Sequence, residues 1–256
     1  MDSISSSREK RGHRSILVVG NKTQSMLSIC LLLRRFGYSV SEAHTASEAF
    51  EIINATTQSL VITDLNLPDM SGMDFFRMLK QARRTASKPV VFVVPMSDAA
   101  AERRCYDTGA AGCITKPIQS EELYRVVQAV TEPMPRESIR IDTRSPISLN
   151  NEPIGCPDNS CAIDLSEHGM YVPTYKPYPR NRRIAVSFHI KDRAISAEGS
   201  VVYNYTSVGQ QREPGIGLKF VNITSQDQEF IRNYIRDEVM QDVKRTLSLE
   251  FHDSWR

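Results

Sequence analysis

The sequence has no long apolar run. Its longest, residues 16–19 and 89–96, fall far short of the roughly 20 residues that cross a bilayer, so no membrane span is expected. Charge of one sign is equally scarce. Thirty-two Lys and Arg stand against 30 Asp and Glu, a formal net charge of +2, too little to drive the whole chain toward nucleic acid or anionic lipid. The five cysteines, Cys30, Cys105, Cys113, Cys156 and Cys161, are an odd and scattered set that argues for reduced thiols rather than a disulfide framework. Cys156 and Cys161, with His168 nearby, suggest a metal half-site, but no second Cys or His pair completes the four ligands of a structural zinc. No Ser-His-Asp set, zinc motif or phosphate-cradling loop suggests an enzyme. The Ser-rich start runs into charged residues 8–14 with no apolar stretch of the signal-peptide kind. The expectation is a soluble, cytoplasmic, non-enzymatic protein with a flexible basic tail over residues 1–13.

What is present is strong periodicity. At about 150 residues per domain, 256 residues give about 1.7 domains, so two are expected. From residue 15 onward, short apolar runs alternate with helical spacing. Strands are expected at 16–19, 38–43, 60–63, 89–94 and 112–115, and helices at 23–36, 46–54, 72–83, 98–108 and 119–130. Alternation of this kind implies an α/β domain, a doubly wound five-stranded parallel sheet of flavodoxin-like type, over residues 14–131. On such a sheet ligands and chemistry gather at the carboxyl ends of the strands, where Asp64 and Lys116 fall.

Residues 131–136, Thr-Glu-Pro-Met-Pro-Arg, break the rhythm, because two prolines in three positions cannot continue a helix. The linker is set at 132–139. Beyond it, segments rich in Val, Ile, Tyr and Phe at 146–149, 160–165, 169–173, 183–190, 194–205 and 215–221 are punctuated by Gly, Pro and Asn. They predict a small antiparallel β-barrel. Ser225 with Gln228 is a plausible capping box for a last helix, and the second domain is set at 136–244, with residues 245–256 as a tail.

Over residues 14–131 the chain resembles the receiver domain of bacterial response regulators. The resemblance rests on Ile-Leu-Val-Val at 16–19, Leu-Asn-Leu-Pro-Asp-Met-Ser-Gly at 65–72 and Gly-Ala-Ala-Gly-Cys-Ile-Thr-Lys-Pro at 109–117. It implies that Asp64 is the phosphoacceptor, that Lys116 contacts the phosphoryl group, and that the Lys116–Pro117 bond is cis. The family also places two acidic residues after the first strand to hold magnesium, a hydroxyl at the end of the fourth strand and an aromatic switch residue three before the lysine. This chain has Gly20 and Asn21, Val94 (or Pro95 if the register slips by one) and Cys113 there. Phosphoryl transfer to aspartate needs a divalent ion with hard oxygen ligands. Magnesium is therefore not expected, and a degenerate receiver that works through protein interaction is favoured. Asp64 would then simply pair with Lys116.

Three further motifs are weak singly: Arg136-x-x-x-Arg140, Asp164-x-Ser166-x-x-Gly169 and Gly215-Ile-Gly-Leu-Lys-Phe220. The glycines of the last do not open a helix, which excludes a dinucleotide fingerprint. In this order the three resemble the PilZ domain, which binds cyclic di-GMP. The resemblance implies a ligand site of Arg136, Arg140, Asp164, Ser166 and Gly169, with Arg140 and Arg144 as the alternative arginine pair. The chemistry agrees. Arginine's planar fork can pair with phosphate or with guanine O6 and N7, and can stack on a base. Guanine N1–H and N2–H₂ find acceptors in Asp164 and Ser166, and Gly169 allows close approach or a left-handed turn. The expectation is a cyclic di-GMP receptor and signalling adaptor, partnered by signalling proteins such as a histidine kinase or a motility or biofilm component, with nucleic acid not expected. The alternative is a phosphorylation-controlled response regulator with Asp64 as acceptor.

Overall fold

The computed structural model describes residues 14–96, 99–154, 161–176, 178–205 and 214–252. These fall into two units, one of residues up to Glu137 together with those from Val239, the other Ser138–Glu238. The first unit alternates β1 (Ser15–Val19), α1 (Gln24–Arg35), β2 (Ser39–Ala43), α2 (Ala46–Ala55), β3 (Leu60–Asp64), α3 (Gly72–Gln81), β4 (Val90–Pro95), α4 (Ala99–Asp107), β5 (Gly112–Lys116) and α5 (Ser120–Thr131). Its sheet is parallel throughout in the order β2-β1-β3-β4-β5, the doubly wound arrangement expected. Strands β1, β3 and β4 are near-continuous apolar runs because helices cover both faces of the sheet. Leu17, Val61, Phe75, Phe92 and Val94 are fully buried in the core, each contributing about 1.5–3 kcal/mol. Hydroxyl N-caps start the first three helices: Thr23 accepts from Met26 N, Thr45 from Glu48 N and Ser71 from Asp74 N, each satisfying a backbone donor the helix cannot use.

The second unit is a curled antiparallel sheet of eight strands. These are β6 (Ile141–Ser145), β7 (Ile147–Leu149), β8 (Glu152–Pro153), β9 (Cys161–Ser166), β10 (Gly169–Pro173), β11 (Arg183–Ile190), β12 (Arg193–Tyr205) and β13 (Gly215–Asn222). The order is β6-β9-β10-β13-β12-β11-β7-β8. Curling brings the β6 edge to β11, where His189 N donates to Ser145 Oγ at 2.9 Å. Strand β11 alternates buried and exposed residues along its whole length, the period-2 signature of a sheet with one face on a core.

Four details differ from the sequence expectation. Strand β6 is real, though only Ile141, Thr143 and Ser145 face inward between exposed Asp142 and Arg144, too short an alternation to stand out. The last helix, α6 (Ser225–His252), runs past Lys244. Its cap is Thr224 with Asp227 rather than Ser225 with Gln228. Asp227 N donates to Thr224 Oγ1 at 3.0 Å, the Thr224 hydroxyl donates back at 2.7 Å, and Arg193 holds the same carboxylate at 2.7 Å. Finally, Cys161 is disulfide-bonded, whereas Cys30, Cys105 and Cys113 are free and buried. An odd count excludes full pairing, not a single bridge. Cys156 lies outside the described residues.

Candidate functional sites

In the first unit the strand ends bring Asp64 and Lys116 together. Asp64 closes β3 and is buried. Lys116 Nζ, at the end of β5, lies 2.5 Å from its Oδ2, and the bond from Lys116 to Pro117 is cis. Register places Asp64 beside Val93 and Pro95 beside Lys116, so Val94 and Pro95 occupy the end of β4, and neither carries a hydroxyl. Gly20 follows β1 directly against the aspartate: a Cβ on Gly20 would be 3.3 Å from that of Asp64 and 2.8 Å from Met26 Cε. Asn21 and Lys22 follow, and with Met26, Cys30 and His44 they line a cavity of about 340 Å³. Among the described residues the carboxylates here are already paired, Asp64 with Lys116 and Glu42, on the cavity wall, with Arg34. That does not fit magnesium, whose octahedral shell is normally anchored by carboxylates. Among the described residues no group of three or more His, Cys, Asp and Glu is placed to hold a metal ion. Cys113, at the position of the aromatic switch residue, is buried beside Cys105. Burial first, and Cys105 second, push its thiol up to about 12.

In the second unit the register of the sheet builds a single face. Residues directly paired on neighbouring strands point to the same side. Asp142 lies opposite Asp164, Asp164 opposite Tyr171, Tyr171 opposite Gly217 and Gly217 opposite Tyr203. Arg140, two residues before Asp142, reaches Asp164: its Nη1 is 3.7 Å from Oδ2, with 31% and 18% of the side chains exposed. That is an ion pair longer than a hydrogen bond. Arg144 stands on the same face further along β6, opposite Ala162. The arginine brought to Asp164 is Arg140.

The other expected residues have different places. Ser166 is buried, and its hydroxyl donates to Gly169 O at 3.0 Å, closing the turn between β9 and β10. Gly169 serves close approach, not a left-handed turn. A Cβ there would sit 2.1 Å from the carbonyl oxygen of Leu218, so only glycine lets β10 and β13 meet. Arg136 belongs to the first unit, where its backbone N–H donates to Oε1 of buried Gln128 at 3.1 Å. Sequence reading missed Lys219, exposed on β13 opposite Gly169, and the tyrosines of β10 and β12. Strand parity puts Tyr171 on the side of Gly169, but only the antiparallel register brings Lys219 and Gly217 opposite them.

With the geometry in place, comparison with known proteins divides the chain in the same way. The response regulator receiver domain family matches residues 16–128, and the PilZ domain family matches residues 135–237. Among curated relatives, the phosphate regulon transcriptional regulatory protein PhoB of Klebsiella pneumoniae is 32% identical over 117 residues, 46% of this chain and 51% of that protein. The cell cycle transcriptional regulator CtrA of Caulobacter vibrioides is 27% identical over 115 residues, 45% and 49% of the two chains. The chain thus spans about half the length of the curated relatives it matches. Among solved structures, the non-phosphorylated HemR receiver domain of Leptospira biflexa aligns with TM-score 0.42 at 27% identity, covering 47% of this chain and 96% of that one. The receiver domain of NtrX from Brucella abortus aligns with TM-score 0.44 at 23% identity, covering 46% and 99%. The chain therefore carries a response regulator receiver domain followed by a PilZ domain.

Proposed function

We propose that this chain is a cyclic di-GMP receptor and signalling adaptor. In this reading nucleotide binding at the PilZ domain controls protein-protein interaction through a receiver domain that takes up no phosphate. The observation that supports it most is the pairing of Arg140 with Asp164 at 3.7 Å on an accessible sheet face. A guanidinium and a carboxylate held adjacent, without a hydrogen bond between them, match the two needs of the ligand. The fork of Arg140 can take phosphate oxygens or guanine O6 and N7, while Asp164 can accept from guanine N1–H and N2–H₂. Ser166 and Gly169 act here by shaping the turn that carries Asp164, with a lone pair of Ser166 Oγ left to accept from the ligand. Arg136, four residues upstream of Arg140, is the second arginine of the clamp. The receiver half of the proposal follows from its donor set: Gly20 and Asn21 after β1 offer no carboxylate to bring magnesium to Asp64.

A second reading keeps Asp64 as a phosphoacceptor served by a histidine kinase. It is favoured by Lys116, 2.5 Å from Asp64 and so placed to contact a phosphoryl group.

Calorimetric titration of the full chain with cyclic di-GMP tests the main proposal. Binding is expected, and Arg140→Ala or Asp164→Ala should each weaken it. Loss of one charge-assisted partner costs about 1.5–3 kcal/mol, or roughly ten- to a hundredfold in affinity. Unchanged affinity in both variants would place the site elsewhere.

A further inference from the structure

Tyr171, Tyr203 and Tyr205 gather on the sheet face that carries Asp164. The rings of Tyr171 and Tyr203 are 6.4 Å apart and 20° from parallel, and Tyr205 leans on both, 6.5 Å from Tyr171 and 5.2 Å from Tyr203. Two glycines let these rings lie down on the backbone. A Cβ on Gly217 would be 2.2 Å from Tyr203 Cζ, and one on Gly215 would be 2.4 Å from Tyr171 Oη. Both glycines are buried while all three tyrosines stay partly exposed, so the rings have one side on the sheet and accessible surface remaining. The register of β12 shifts between Val201 and Tyr203, leaving Val202 unpaired and 48% exposed. Without that bulge, strict alternation from buried Val201 would turn Tyr203 and Tyr205 into the core.

We propose that this tyrosine cluster is a stacking platform for a guanine base, and that the neighbouring carboxylate of Asp164 reads the edge of the stacked base. The inference rests on the cyclic di-GMP reading above and adds to it the residues that hold and select the base. Every base has a π-face for an aromatic platform. Selection comes from Asp164, directly opposite Tyr171, which can accept from the N1–H and N2–H₂ donors of guanine. Adenine offers an acceptor at N1 and no amino group at C2, so a carboxylate there would be left facing lone pairs.

The test uses the full chain with cyclic di-GMP and cyclic di-AMP in calorimetric titrations, with tyrosine fluorescence as a second readout. The wild type should bind cyclic di-GMP, quench tyrosine emission on doing so, and discriminate against cyclic di-AMP. Tyr203→Leu keeps an apolar cover over Gly217 but loses the π-face, and Tyr205→Ala removes the ring that leans on the other two. Each should weaken binding by about five- to a hundredfold while peptides of β10 and β13 keep wild-type protection from hydrogen exchange, and Tyr203→Phe should bind like the wild type. Wild-type affinity in both Tyr203→Leu and Tyr205→Ala, beside weakened binding in Arg140→Ala, would overturn the platform and leave the receptor reading standing. No binding by the wild type would overturn the receptor reading, and the platform with it.

Discussion

Gly169→Ala should damage the PilZ domain by unfolding it locally, not by removing a ligand contact. The added Cβ would lie 2.1 Å from Leu218 O and 3.1 Å from both Leu218 C and Lys219 Cα. All three are backbone atoms of β13, so no side-chain rotation relieves the contact, and the two strands must part by about an ångström to restore van der Waals spacing. Overpacking of this kind costs about 1–3 kcal/mol. The bond from Phe220 N to His168 O, 2.9 Å long, lies beside the strained point, and its loss adds about 0.5–1.5 kcal/mol. Together this is roughly 1.5–4.5 kcal/mol, a large share of the roughly 5–15 kcal/mol that typically holds a domain. Two domains rule out a single two-state fit, so the assay is hydrogen exchange resolved by peptide across a denaturant series. Peptides from β9, β10 and β13 should lose protection while those from β1, β3 and β4 keep theirs. Protection in β10 and β13 equal to the wild type within about 0.5 kcal/mol would refute the packing argument.

Incubation with acetyl phosphate and magnesium should leave Asp64 unmodified by intact mass, and an 80 Da adduct at Asp64 would favour the phosphorylated reading instead. Burial first, with Glu42 acting on Cys30 and Cys105 on Cys113, pushes both thiols up to about 12. The folded receiver thus keeps protons that the unfolded chain releases above the ordinary thiol range, and its stability should fall as pH climbs from about 9 toward 12; a denaturation midpoint of the receiver's own transition that is flat between about pH 8 and about pH 10.5 contradicts this. If closing the arginine arm over the ligand couples the domains, saturating cyclic di-GMP should alter the small-angle scattering profile of the full chain, since a ligand shifts a population only through differential affinity. Superimposable profiles would leave two independent modules.

The receiver fold was legible because its signals are local and agree with one another. Apolar strands, amphipathic helices and hydroxyl caps at Thr23, Thr45 and Ser71 all point to one α/β order. The Asp64–Lys116 pair was legible because both residues end strands of one parallel sheet. The PilZ face was legible only in part. Arg140 and Asp164 stand in recognisable motifs, but Lys219 and the tyrosines acquire meaning through antiparallel register, which sequence spacing does not state. The shift at Val202 hides Tyr203 and Tyr205 further, because alternation counted from Val201 assigns them to the wrong side. Gly169 was noticed for its motif, whereas its physical cause is a carbonyl on a strand almost fifty residues away, 2.1 Å from where a Cβ would sit. Nothing in the sequence near Lys244 breaks a helix, and helix α6 runs on through it.

The neighbourhood of Asp64 also bears on what it would take to make the receiver switchable. One carboxylate and one ammonium neutralise each other at the strand ends, so this end is electrically complete with no ion. A single Gly20→Asp reversion would not simply restore an acidic pocket. Its Cβ would lie 3.3 Å from that of Asp64 and 2.8 Å from Met26 Cε, crowding a second negative charge beside the first with only one lysine to answer both. Such a pair disfavours its own ionisation unless a cation joins it, and the stability of the revertant would then rise with magnesium concentration. With Gly20 and Asn21 after β1 the fold carries no such dependence, and introducing a carboxylate there would couple its stability to the supply of the ion.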